Sequence, residues 1–234
     1  MNMVDPEGRK IIGVTKSDAA NVVEDLREIF KDDVFAAFRE LIVQSGKNHN
    51  GRSLAIIDQS QLEEALEGVT LTEDQQALVE IVVNTINSKD KHIVEYSSNE
   101  GNLSPTAYGA FLPGIKNGRY RPFLDTILEK NGGYPAKCLI SEVGDGGTTK
   151  TNQSTYSVIF DGDHPFVRAV TTGHELFGHG RSLALGRGDE NQHEDAVRLE
   201  NLILRVMGIH YVNDGRNHMT GEVIQNPSLL PNYR

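Results

Sequence analysis

The stretch HELFGHG, residues 174–180, places two imidazoles and a carboxylate within six positions. His174 and His179 can ligate a divalent metal, and Glu175 can act as a base beside it. A hydrolytic zinc site needs about three protein ligands and one open position for water. The metal lowers the pKa of that water, and a nearby carboxylate takes its proton. In the commoner HExxH arrangement the histidines sit at i and i+4 and share one helix face. Here the separation is five. On an ideal α-helix, i and i+5 point about 140° apart, a poor angle for holding one ion. A π-bulge repeats at i to i+5 and closes that gap, so the spacing predicts a π-bulged helix. Gly173, Gly178 and Gly180 surround the motif. Glycine weakens a helix but tolerates distortion and close approach.

The third ligand is expected from the next helix, about residues 192–207. On a helical wheel His193, Ala196, Val197, Glu200, Ile203, Leu204 and Met207 form one largely apolar stripe that should face the core. Glu194, Arg198, Asn201 and Arg205 fall on a neighbouring polar side, where Glu194 pairs with Arg198 at i+4. His193 and Glu200 thus point inward and need partners. The simplest arrangement makes His193 the third ligand and Glu200 the acceptor for a ligand N–H. Glu194 or Glu200 as the third ligand is the competing arrangement. Cleaving an amide also needs a donor for the tetrahedral oxyanion, and Tyr211 and His218 are the candidates.

Other elements must hold this site. Residues 17–45 read as one helix or two short ones, with Val22, Leu26, Phe30, Val34 and Phe38 at helical spacing. LAIID (54–58) reads as a short strand and SQLEEALEG as a short helix. A further helix opens at Thr72 and runs to about Asn87. HIVEYS (92–97) alternates like a strand. CLISEV (138–143) and TYSVIFD (155–161) read as two strands flanking a Gly/Thr loop, with 155–160 a candidate edge for an extended peptide. Helices at about 166–184 and 192–207 follow, then an irregular tail from Gly208. Six of the eight histidines lie at or after position 164, so the C-terminal third is where a site is expected.

The 234 residues suffice for one large domain or two small ones, and no linker divides them. A net charge of −10 without a basic patch argues against a nucleic-acid partner. Cys138 is the only cysteine, so no internal disulfide forms. No apolar run approaches the roughly 18–20 residues that span a bilayer, and the N-terminus lacks a signal-peptide core. The chain reads as soluble.

HELFGHG resembles the HExxGH zinc motif of the dipeptidyl peptidase III family. That family's second motif, a Glu-Glu pair followed by Arg and Glu, is not matched by His193-Glu194-Asp195-Ala196, so its exopeptidase activity and two-domain fold are not carried over. NMVDPEGRKI (2–11) resembles the closing segment of an Rhs-repeat-associated core. The pattern of a strand, HE…H, then Ala196, Glu200, Asn201 and Arg205 on a helix is similar to zinc-metallopeptidase toxin or effector domains at the tips of such bacterial proteins. The resemblance implies secretion within a larger carrier polypeptide, delivery into a target cell, a protein or peptide substrate there, and a cognate immunity protein. It divides the chain into a tail of the preceding core (1–13) and a metallopeptidase domain (14–234).

The expectation is an α+β, zincin-like domain, a small sheet on an active-site helix with an N-terminal helical part. It would hydrolyse peptide bonds with Zn2+ held by His174, His179 and His193, and with Glu175 as general base. The alternatives are a non-catalytic domain with a structural zinc clamp, or a narrow exopeptidase.

Overall fold

The computed structural model describes residues 11–46, 48–97, 146–150, 154–160, 165–216 and 223–233. CLISEV (138–143), His164 and His218 lie outside them. The fold is mixed α+β. Its first strand, β1 (Ile11–Gly13), begins three residues inside the stretch read as a tail, and all three are buried. Helix α1 (Lys16–Ile29) follows at once because Thr15 and Asp18 cap each other's backbone N–H, which satisfies two of the donors a helix start leaves open. The chain breaks after Phe30 into a 3₁₀ turn (Asp33–Phe35) and α2 (Ala36–Leu41), so the long helical stretch is two helices. Phe30 meets Phe35 and Phe38 edge-on, each with ring centroids 4.9 Å apart, and Val22, Leu26, Phe30 and Phe38 are all buried.

Helix α3 (Gln59–Ala65) and helix α4 (Glu73–Ile86) come next. Thr72 and Gln75 form a second capping box at the start of α4. LAIID is not a strand. Ser53 and Leu54 make only isolated bridges, to Ile12 and Gln44. Beyond them Asn87 takes the place of a partner strand, its side chain accepting from Ile57 N–H at 3.0 Å and donating to Ile57 C=O at 2.8 Å.

Among the described residues, strands β2 (Lys91–Ser97), β3 (Gly146–Lys150) and β4 (Ser154–Phe160) join β1 in a four-stranded sheet of order β1-β2-β4-β3. The β1–β2 and β2–β4 pairs are parallel, and β3 runs antiparallel to β4. This corrects two expectations. GGTTK, read as loop, is a strand, because its Thr-Thr-Lys run can pair residue for residue with Thr155–Ser157. And β4 is not the edge, because β2 and β3 flank it; among the described residues β3 stands at one end of the strand order.

Helix α5 (Pro165–Thr172) leads into a π-helix (Gly173–Gly180), which leaves as α6 (Arg181–Ala184). Helix α7 (Asp189–Val206) packs against the π-helix. Ala196, Val197, Ile203 and Leu204 of its apolar stripe are buried. Its polar side is not open to solvent as the wheel suggested. Arg198 and Asn201 are buried, bonded to the tail carbonyls of Gln225, Asn213 and Pro227. No helix among the described residues is long and apolar enough to cross a membrane.

Candidate metal centre

The π-helix does to HELFGHG what the five-residue spacing demands. One ligand atom each from His174, Glu175 and His179 lie within 4.8 Å of one another. The two imidazoles meet edge-on with centroids 5.0 Å apart. A π-helix is locally costly, and its neighbours hold it. Gly178 lets α7 come very close, since a Cβ there would sit 2.8 Å from Ala196 Cα. The glycine thus serves close approach more than distortion. Tyr233, buried in the tail, donates its hydroxyl to Phe177 C=O at 2.7 Å, so a carbonyl inside the π-turn gains a partner.

His193 on α7 brings its ring to 5.0 Å from that of His179, at 83°. It borders the cluster from the opposite helix. Glu200, two helical turns further on, accepts from His174 Nδ1 at 2.9 Å. With its proton on Nδ1, His174 keeps the Nε2 lone pair for a ligand. Glu194 pairs with Arg198 instead. Tyr211 is largely exposed, in the segment leading to Asn213.

Two contacts escaped sequence reasoning. Thr148 on β3 donates to Glu175 Oε2 at 2.7 Å, with Glu175 C=O and Ser157 Oγ also within 3.0 Å of its hydroxyl. Strand β3 therefore presses directly on the carboxylate, and a Cβ on Gly146 would meet Glu175 Cγ at 2.8 Å. The second contact lies beneath Gly180. There His92 of β2 is fully buried, with Nδ1 2.9 Å from Thr155 Oγ1. His92, Thr148, Thr155 and Ser157 all face the π-helix from their strands; alternation could have found His92, Thr155 and Ser157, while Thr148 lies in a run without it.

The electrostatics follow from burial. Loss of water raises the Glu175 carboxyl above its usual range, opposed by the His174 charge and the Thr148 hydrogen bond, with Glu200 adding to the rise. Burial disfavours the imidazolium of His174, but the hydrogen bond and charge of Glu200, joined by Glu175, outweigh it and raise its pKa. Burial lowers His92 to about 4, and the nearby Arg181 charge adds to this.

The side chains of His174, Glu175 and His179 could hold a metal ion, and Glu200 orients the His174 imidazole from behind. Comparison with family models, with curated proteins and with solved structures gives no match.

Proposed function

We propose that this chain is a zinc-dependent peptidase with a zincin-like core. The observation that carries the reading is the convergence of His174, Glu175 and His179 on one π-helix despite their spacing. A regular α-helix would aim the imidazoles apart.

In this reading His174, His179 and His193 would hold Zn2+, which would supply a Lewis acid that lowers the pKa of a water and polarises the scissile carbonyl. Glu175 takes the proton of the attacking water and returns it to the amine nitrogen as the C–N bond breaks. Thr148 holds the Glu175 carboxylate in place, and Glu200 fixes the His174 ring. Burial of Glu175 favours its role, because a raised carboxyl pKa makes a better proton carrier near neutral pH. Tyr211 or His218 donates to the oxyanion. An extended substrate lies along β3, at the end of the strand order and in contact with Glu175.

The resemblance to Rhs-associated domains extends the proposal to a secreted toxin or effector module, delivered within a carrier and neutralised by an immunity protein.

The test is metal content by elemental mass spectrometry, on the wild type and on His193→Ala, followed by proteolysis with Glu175→Gln. About one zinc per chain, lost in His193→Ala, supports the ligand set. Zinc retained there moves the third ligand to Glu194 or Glu200. Retained zinc with abolished proteolysis in Glu175→Gln supports the enzyme. No zinc after remetallation overturns the reading.

A further inference from the structure

We infer that Asn213 is a positioning residue of this centre, acting through Glu200, and that the segment after α7 belongs to the site. The inference rests on the metal reading above.

Glu200 offers two carboxylate oxygens, and each takes a separate donor. Oε2 accepts from His174 Nδ1 at 2.9 Å, and Oε1 accepts from Asn213 Nδ2 at 3.0 Å. Asn213 is itself held at three further atoms. Its N–H donates to Asn201 Oδ1 at 2.7 Å, and its C=O accepts from Asn201 Nδ2 at 2.8 Å. Its Oδ1 accepts from Gly215 N–H at 2.9 Å. That last bond decides which way the amide faces. Its oxygen is engaged by a backbone donor, so its NH2 must meet the carboxylate. Asn201 also donates to Pro227 C=O at 3.0 Å, which ties the later part of the tail to the same point.

A lone glutamate on a helix can rotate about three χ angles. Glu200 cannot, because Asn213 and His174 grip opposite oxygens. The grip has two effects. It fixes the plane of the His174 imidazole, and it keeps Glu200 as the acceptor of an N–H rather than letting it swing inward as a ligand. Asparagine suits the position because it accepts from Gly215 and donates to Glu200 at once. Aspartate has the same shape and accepts from Gly215, but has nothing to donate.

The test is zinc affinity of the full chain, by competition with a chromogenic chelator. Asn213→Asp keeps the shape of the side chain and opposes two carboxylates. It should weaken zinc binding by roughly ten-fold or more, within the roughly 10–100-fold typical of groups that orient ligands. Asn213→Ala, which removes the donor without adding charge, should also weaken it. Adding Glu200→Gln to Asn213→Asp reverses the polarity of the bond, since the new amide can donate to the new carboxylate. This double variant should regain part of the affinity lost in Asn213→Asp. Unchanged affinity in both single Asn213 variants overturns the inference while the metal reading stands. So does a double variant whose loss is the product of the Asn213→Asp and Glu200→Gln losses, because a mere structural brace gives no rescue. A wild type that takes up no zinc overturns both.

Discussion

Protonation of His92 should set an acid limit on the stability of this fold. The residue is fully buried under Gly180, bonded to Thr155, with its pKa lowered to about 4 from an ordinary 6.5. The neutral ring is what folds. In the unfolded chain the same ring takes a proton near pH 6.5, so between 6.5 and about 4 the unfolded state binds more protons. Stability from this residue is therefore complete above 6.5 and is lost as pH falls toward about 4. Each pH unit of that window is worth about 1.4 kcal/mol, so the full loss is about 3 kcal/mol, with about 2 kcal/mol of it gone by about pH 5. Urea unfolding of wild type and His92→Gln, both with chelator present, isolates this contribution. Glutamine keeps a polar group beside Thr155 but cannot be protonated. Between about pH 7.5 and about pH 5 the wild type should lose about 2 kcal/mol more than the variant. The other titrating groups act in both proteins and cancel in the difference. Parallel pH curves would refute the reasoning, because they would mean that the folded chain charges His92 at no extra cost.

Two further outcomes follow from the π-helix contacts. Gly178→Ala should destabilise by about 1–3 kcal/mol and weaken zinc uptake, because the new Cβ meets Ala196 at backbone distance and pushes α7 away. Helix propensity alone predicts a gain of up to about 1 kcal/mol, so the sign of the change in thermal unfolding decides between the two arguments. Tyr233→Phe keeps the ring against Arg181 but strands the buried Phe177 carbonyl. Urea unfolding should show a loss of about 1–3 kcal/mol, and an unchanged midpoint would mean that water reaches that carbonyl.

Where one segment dictated its own structure, the sequence was legible. Thr72 followed by Gln75 is a capping box by composition, and α4 starts there. The Val22, Leu26, Phe30 stripe lies buried as its spacing implies. The five-residue gap in HELFGHG could converge only through a π-turn, and the π-helix spans Gly173–Gly180. What was hidden depends on partners far along the chain. Thr148 sits in a Gly/Thr-rich run that reads as loop, and only pairing with β4 makes it a strand. Asn213 lies in a tail without periodicity, and its meaning comes from Asn201 and Glu200 on another element. LAIID has strand composition, but only Leu54 and Ala55 donate to neighbouring backbone, and the Asn87 side chain takes both backbone groups of Ile57. Periodicity reports which face is buried; it carries no record of which distant polar group completes a neighbour's hydrogen bonds.

The π-helix also bears on how such a centre tolerates insertion and deletion. α5 enters it and α6 leaves it as ordinary α-helix, so the extra residue is absorbed within the stretch itself. One added codon between two histidines of an i, i+4 pair would normally turn the second ring away by about 100°. Widening of the local turn cancels that rotation. The quantity held constant between the two spacings is the convergence of ring nitrogens, not the number of residues between them. A pattern search with a fixed gap is thus too narrow for converging histidine pairs of this kind. A glycine at the widened turn, with a small residue opposite it on the next helix as Ala196 is here, is the additional mark to look for.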